Sequence, residues 1–129
     1  MRSFLDTNVL VAAVTRDTDR SDAAVTVLNE AEEPYTSMLN LMELRTVLAK
    51  KKRIERERVR QIEQRIASRT TVTFPDASDF VDANEIQGET LLYPMDAMIL
   101  SAADAVDAEL VTFDAELREY GAKTPTEMI

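Results

Sequence analysis

The chain has 129 residues, of which 45% are hydrophobic, and this length and composition predict a single folded domain over residues 1–129. It contains no cysteine and no histidine, which excludes disulfides, thiolate catalysis and metal sites built on those two residues. Carboxylates, hydroxyls, amides, lysine and arginine remain for chemistry, and carboxylate-rich sites are those that hard divalent cations prefer. The sequence shows no bilayer-length apolar run and no signal peptide, so we expect a cytoplasmic protein without a membrane partner.

The net charge of −9 is unevenly distributed along the chain. Between Arg45 and Arg69, ten basic residues stand against three acidic ones, so the rest of the chain carries −16. Such a segment is either a solvated helix face with internal ion pairs or a surface that binds a phosphate backbone. Its densest part is the basic run of Lys50, Lys51, Lys52 and Arg53.

The first ten residues place a carboxylate at the end of a predicted strand. A short apolar run ends at Asp6, and Thr7 and Asn8 follow before a second apolar run begins. This pattern predicts a buried strand followed by a helix. Ligands of parallel α/β sheets bind outside the carboxyl ends of the strands, so Asp6 is placed where chemistry can occur.

The next part of the chain alternates between helices and short strands. Ser21 is predicted to cap a helix that stops at Pro34, and residues 35–36 form a very short strand. Ser37 is predicted to cap a helix with a leucine-rich core face, and Glu43 lies on the face beside those leucines.

A helix over about 56–67 with a narrow apolar stripe is predicted after the basic run, followed by a strand over 71–74. For the following helix, over about 78–87, we expect inward-facing apolar residues and a glycine cap at its end. The residues concerned are Phe80, Val81, Ile86 and Gly88.

Two further acids occupy informative positions near the end of the chain. Asp96 stands in the first turn of an apolar helix that Pro94 opens, on the same face as core residues, where a carboxylate needs a cation or hydrogen bonds. Asp104 lies on the same helix but is predicted to face solvent. Asp114 ends a predicted strand over 109–113, and residues 123–128 are predicted to form an edge strand or a tail.

Four carboxylates, those of Asp6, Glu43, Asp96 and Asp114, can therefore meet at one end of a sheet. Any one of them alone is more often a turn or cap residue. Together they cannot all stay ionised at close range without compensation, which divalent cations supply while activating water for phosphodiester hydrolysis.

These motifs resemble those of PIN-domain nucleases, the fold of VapC-type toxins, over essentially the whole chain. Asp6, Thr7 and Asn8 match the family's D-T-N-like motif, Glu43 its mid-chain glutamate, Asp96 its later helical aspartate, and Thr112 with Asp114 its T-x-D motif. The resemblance implies an α/β fold, a three-layer α/β/α sandwich around a parallel sheet of four or five strands. It also implies a Mg²⁺- or Mn²⁺-dependent endoribonuclease, the toxin of a type II toxin–antitoxin pair, with RNA as substrate, an antitoxin protein as partner and a homodimeric state.

The resemblance also implies roles for single residues. Asp6, Asp96 and Asp114 are expected to be the principal metal ligands, and Glu43 to complete the site or to position the attacking water. Thr7, Asn8 and Thr112 are expected either to hold ligands or phosphate by hydrogen bonds or to serve only as helix-cap and turn residues. The basic run is expected to bind RNA.

Three other functions account for some of these features. An aspartyl phosphatase needs a second acid two residues after the first, where Asn8 stands here. A receiver domain needs a lysine after a late strand, and none lies near Asp114. A catalytically silent PIN-like module that binds RNA or protein remains, although such a binder has no need for clustered carboxylates.

Overall fold

The sheet lies at the centre of an α/β fold in the computed structural model, which describes residues 1–16 and 18–129. Its four strands are β1 (Arg2–Leu5), β2 (Glu33–Ser37), β3 (Thr71–Thr73) and β4 (Glu109–Val111). All pairs are parallel and the spatial order is β3-β2-β1-β4. The first strand therefore lies inside the sheet, with its carboxyl end beside that of β4.

Helices cover both faces of this sheet. They are α1 (Thr7–Thr15), α2 (Ser21–Glu30), α3 (Met38–Thr46), α4 (Arg56–Arg69), α5 (Ala77–Glu89), α6 (Pro94–Ala105) and α7 (Ala115–Arg118). A π-helical turn (Val47–Lys51) continues α3, and a 3₁₀ helix (Pro125–Met128) follows α7. Within the described part of the chain, no helix is long and apolar enough to cross a membrane.

The alternation of side chains along β1 divides the core in two. Phe4 packs with residues of α6 and α7, whereas Leu5 packs with residues of α1 to α4, and both are fully buried. The same alternation holds in β4, where Leu110 pairs with Phe4 and Val111 with Leu5. A strand buried on both faces is the expected centre of a parallel sheet. The predicted α/β sandwich is confirmed.

The orientation predicted for α5 is confirmed for Ile86 but wrong for Phe80 and Val81. Phe80 is 59% exposed and Val81 is 63% exposed, while the buried contacts with α6 come from Ala83 and its neighbour Ile86. Ala83 packs with Ala97 and Met98 of α6, and small side chains at that contact let the two helices approach closely. Residues 80 and 81 are therefore exposed although their side chains are apolar.

Two predicted caps are also wrong. Gly88 lies inside α5, which begins with a capping box between Asp76 and Asp79 and ends at Glu89. Ser21 is the first helical residue of α2 rather than its cap, and its buried hydroxyl has no hydrogen-bond partner among the described residues. Ser37, in contrast, caps α3 as predicted, by accepting a hydrogen bond from the backbone N–H of Asn40.

Some boundaries differ from those predicted. The strand β4 ends at Val111, and Val111 then forms a single parallel bridge with Lys123 instead of a regular edge strand. The basic run is not a simple link, because Lys50 and Lys51 belong to the π-helical turn. The positions of Asp6 and Asp114, each directly before a helix, are unaffected by these differences.

Candidate active site

A cleft of about 400 Å³ opens at the carboxyl ends of β1 and β4. Its lining includes all four acids singled out from the sequence, Asp6, Glu43, Asp96 and Asp114. Asp6 and Asp114 follow strands, whereas Glu43 is on α3 and Asp96 is in the first turn of α6. The fold therefore brings together residues that are far apart in the sequence.

Asp6 is the most buried of the four acids, with 6% of its surface exposed. Its Oδ1 accepts a hydrogen bond from the backbone N–H of Thr7 at 2.7 Å, and its Oδ2 accepts one from the Thr112 hydroxyl at 2.8 Å. The pKa of Asp6 is raised from 3.8 to about 6, chiefly by burial and to a smaller extent by the nearby charges of Glu43 and Asp96, and the two hydrogen bonds act in the opposite direction. The carboxylate is thus held in a fixed orientation where its negative charge is costly.

Thr112 connects the two strand ends. Its fully buried hydroxyl donates to Asp6 and accepts hydrogen bonds from the Asn8 side-chain amide at 3.0 Å and from the backbone N–H of Asp114 at 3.1 Å. Asn8 in turn accepts a hydrogen bond from the backbone N–H of Phe113 at 3.1 Å. Thr112 and Asn8 therefore link the carboxylate of Asp6 to the backbone of the segment that carries Asp114.

Asn40 is part of the same network and was not among the predicted site residues. It is fully buried on α3, and its side-chain amide donates to Asp6 at 3.3 Å and to the Thr7 hydroxyl at 3.0 Å. The Ser37 hydroxyl holds the carbonyl end of that amide. The sequence signal was its position three residues before Glu43, which places both on the same face of one helix.

Asp96 and Asp114 complete the acidic lining and are partly exposed. Partial burial raises the pKa of Asp96, as do the charges of Asp114, Glu116 and Glu43 in that order. Asp114 caps α7 by accepting a hydrogen bond from the backbone N–H of Glu116 at 2.8 Å. Electrostatic coupling thus links Asp96 to three other acids, including one outside the predicted set.

The donor set is that of a hard cation, since it consists of carboxylates with neighbouring hydroxyl and amide oxygens. Among the described residues, however, no three acids lie close enough together to hold one ion between them. Mg²⁺ is usually bound by one or two carboxylates and keeps several of its waters. The cleft therefore fits Mg²⁺ or Mn²⁺ held partly through water, rather than an ion enclosed by protein ligands alone.

The structure separates the members of the basic run. Lys52 lines the cleft, whereas Lys50, Lys51 and Arg53 are exposed outside it. A second cation, Arg20, also lines the cleft and was not predicted.

Part of the wider basic segment is engaged in ion pairs. Arg45 binds Glu63 at 2.8 Å and Arg60 binds Glu57 at 2.8 Å. The ion-paired helix face is thus confirmed for these two arginines, whereas RNA binding by the basic run stays a prediction.

Residues 3–123 match the model of the PIN domain family. The chain belongs to this family. Comparison with curated protein sequences gives no match.

Several solved structures share the fold. Mycobacterium tuberculosis VapC20, a sarcin-ricin loop cleaving toxin, has 19% identity and a TM-score of 0.78, with 93% of this chain and 95% of that chain covered. A toxin–antitoxin complex from Klebsiella pneumoniae has 21% identity and a TM-score of 0.76, covering 95% and 97% of the two chains. DNA-bound VapBC from Salmonella typhimurium has 20% identity and a TM-score of 0.74, covering 96% of each chain.

Proposed function

We propose that this protein is a Mg²⁺- or Mn²⁺-dependent endoribonuclease that acts as the toxin of a type II toxin–antitoxin pair. The observation that carries the proposal is the placement of four carboxylates from four separate segments in one cleft, with Asp6 held in a buried hydrogen-bond network. Keeping a carboxylate buried beside other acids costs free energy, and a cation site explains that cost.

In this proposal, Asp6, Asp96 and Asp114 hold the metal, directly or through water. A bound divalent ion supplies an activated water and neutralises negative charge on the phosphodiester. Thr112, Thr7 and Asn40 keep the Asp6 carboxylate oriented toward the cleft by donating to it or to each other. Preorganised ligands of this kind lose little freedom when the substrate binds.

Glu43 faces the cleft from α3 and is the remaining acid that can orient the attacking water. The chain has no histidine, so a carboxylate must accept any proton that a protein side chain takes from that water. The Thr112 hydroxyl, which accepts a hydrogen bond from Asn8, holds the backbone N–H of Asp114 in the segment that carries this ligand.

The partners follow from the same proposal. VapC20 is a sarcin-ricin loop cleaving toxin, and the Klebsiella pneumoniae structure is a toxin–antitoxin complex, which supports RNA as substrate and an antitoxin as protein partner here. Lys52 at the cleft and the other basic-run residues, Lys50, Lys51 and Arg53, supply positive charge for the RNA backbone.

A homodimer is part of the proposal because apolar side chains remain exposed around α5. Phe80, Val81, Leu91 and Tyr93 are each more than half exposed. A second copy covering them would remove apolar surface from water. Sedimentation velocity on the wild type and on Phe80→Ser tests this, and a monomeric wild type at all concentrations contradicts it.

The proposed activity is tested by cleavage of single-stranded RNA with Mg²⁺ or Mn²⁺ and with chelator. Asp96→Asn keeps the side-chain shape but removes a ligand charge, so cleavage should fall by about 10²-fold or more while RNA binding is retained. Asp104→Asn is the matched control, since it makes the same change on the exposed part of α6. Cleavage that persists in chelator contradicts metal dependence, and a wild type that binds RNA but never cuts it indicates the silent module instead.

A further inference from the structure

Arg20 forms a cation–π pair at the edge of the acidic cleft. Its guanidinium carbon lies 4.8 Å from the centroid of the Phe113 ring. Arg20 directly precedes α2, and Phe113 stands between Thr112 and Asp114 in the segment after β4. Both side chains line the cleft together with the four acids. The pair therefore joins the chain before α2 to the segment that carries Asp114.

The way Arg20 is held leaves its hydrogen-bonding groups available. Within the part of the chain that the structure describes, Arg20 makes no ion pair with a carboxylate, although it lines a cleft with four of them. A ring contacts the face of a guanidinium, whereas the N–H donors point outward in its plane. Phe113 thus fixes the position of Arg20 without using those donors.

We propose that Arg20 binds a phosphate of the RNA backbone at the cleft and that Phe113 is its positioning residue; this inference rests on the proposed function. A phosphodiester is an anion, so an acidic cleft must offer it positive charge beyond that of any ion the carboxylates hold. The planar fork of an arginine matches two phosphate oxygens, whereas a lysine offers a single point charge. Arg20 supplies that fork inside the cleft, where Lys50, Lys51 and Arg53 do not reach.

RNA affinity and single-turnover cleavage test the role of Arg20. Affinity is measured in an Asp96→Asn background with a single-stranded RNA oligonucleotide at several salt concentrations, and cleavage in the otherwise unchanged protein. Arg20→Gln should weaken binding by about tenfold or more, because a charged hydrogen-bonding group is lost. The salt slope should fall by about 0.7, the value for one phosphate contact on a single strand. Arg20→Lys should recover part of the affinity but not the full cleavage rate.

Arg2→Gln is the matched control for this substitution. Arg2 also lies over an aromatic ring, that of Tyr35 at 5.6 Å, but it is at the start of β1 and thus at the opposite end of the sheet from the cleft. Its replacement should leave RNA affinity, salt slope and cleavage unchanged. If Arg20→Gln behaves like Arg2→Gln, the role of Arg20 is overturned.

A double-mutant cycle tests the positioning role of Phe113. Phe113→Leu keeps an apolar side chain but removes the ring, so it should weaken RNA binding in the presence of Arg20 and have no effect in Arg20→Gln. Phe113→Tyr keeps the ring and should bind like the wild type. Equal losses from Phe113→Leu in both backgrounds would mean that the ring acts independently of Arg20, which overturns the positioning role.

The two proposals fail in different ways. If the wild type shows no metal-dependent cleavage, the nuclease proposal is contradicted. If Arg20→Gln nevertheless weakens RNA binding and lowers the salt slope by about 0.7, Arg20 is still supported as a phosphate contact. If Arg20→Gln binds and cleaves RNA as efficiently as the wild type, the role of Arg20 is contradicted, but the nuclease proposal is not.

Discussion

The hydroxyl of Thr112 donates a hydrogen bond to the carboxylate of Asp6 across 2.8 Å, although the two residues are 106 positions apart in the chain. They meet because β1 and β4 are adjacent parallel strands, with Leu5 opposite Val111. The bond lowers the pKa of Asp6, against the larger effect of burial. A buried strand end thus carries a carboxylate that is oriented by its neighbouring strand.

Replacing Thr112 with Val should therefore disturb both stability and the site. The substitution keeps the side-chain shape but removes the donor to Asp6 and the acceptor for Asn8 and the Asp114 N–H. We expect the free energy of unfolding to fall by about 1–3 kcal/mol, the usual cost of unpaired buried polar groups. We also expect the pKa of Asp6 to rise further. Urea unfolding measures the loss, and Thr112→Ser, which keeps the hydroxyl, should remain close to the wild type. A Val variant as stable as the Ser variant contradicts this prediction.

Because the pKa of Asp6 is raised, we expect the stability of the metal-free protein to depend on pH. The Asp6 carboxyl group binds its proton more tightly in the folded state than in the unfolded chain. The stability that this protonated carboxyl contributes is therefore fully present below the ordinary pKa of 3.8 and is lost as pH rises through about 6. Asp6→Asn carries no charge and should gain stability relative to the wild type over that range, by about 3 kcal/mol.

Urea unfolding with chelator across this pH range measures that difference. Asp107→Asn, a change at an exposed acid, is the control and should show a much smaller pH dependence relative to the wild type. A stability difference between Asp6→Asn and the wild type that is the same at low and neutral pH would show that burial of Asp6 is not costly.

Metal binding should offset the free-energy cost of keeping the ionised Asp6 carboxylate buried beside other acids. An ion that binds only the folded protein raises its stability by about 2.7 kcal/mol when its concentration is 100 times its Kd. We expect Mg²⁺ or Mn²⁺ to raise the melting temperature of the wild type in a concentration-dependent way at neutral pH. Asp114→Asn should reduce the shift, and Asp104→Asn should not. A melting temperature that does not respond to either ion means that the carboxylates do not form a metal site.

The members of the basic run should contribute unequally to RNA binding. Replacing Lys50, Lys51 and Lys52 together with Ala should weaken binding to all RNA sequences and lower the salt slope by up to about 0.7 per lost contact. Because Lys52 lines the cleft and Lys51 does not, Lys52→Ala alone should account for more of the loss than Lys51→Ala. If the triple variant has unchanged affinity and slope, the basic run serves another surface, such as one for an acidic protein partner.

The central features of the fold could be predicted because they depend on local patterns. Apolar runs that end in an acid predicted that Asp6 and Asp114 each lie between a strand and a helix, and a proline followed by an apolar run predicted α6. These patterns are visible in the sequence because a strand that is buried on both faces of a parallel sheet needs a continuous apolar run. The four acids of the cleft could be found in the same way, since each lies at such a boundary or on a helix beside one.

The remaining features depend on which surfaces meet in three dimensions. Phe80 and Val81 are as apolar as core residues, but the face of α5 that packs on α6 is decided by Ala83, whose small side chain allows close contact. Arg20 carries no local signal that separates it from ordinary polar residues, and the signal for Asn40 is only its position three residues before Glu43 on the same helix. Asn40 contacts Asp6, and Arg20 contacts Phe113. These contacts join distant parts of the chain, so the spacing of residues in the sequence does not predict them.

The pairing of the first strand with the fourth has a consequence for protein synthesis. An N-terminal segment can begin to fold while later residues are still being made. The chain on the ribosome, however, has neither Thr112 nor Asp114 until translation has passed β4, and Asp6 has no neighbouring strand on that side until then. On the proposed function, a nascent or prematurely terminated chain that lacks Asp114 would not cleave RNA, so toxicity would begin only after β4 and Asp114 have been synthesised.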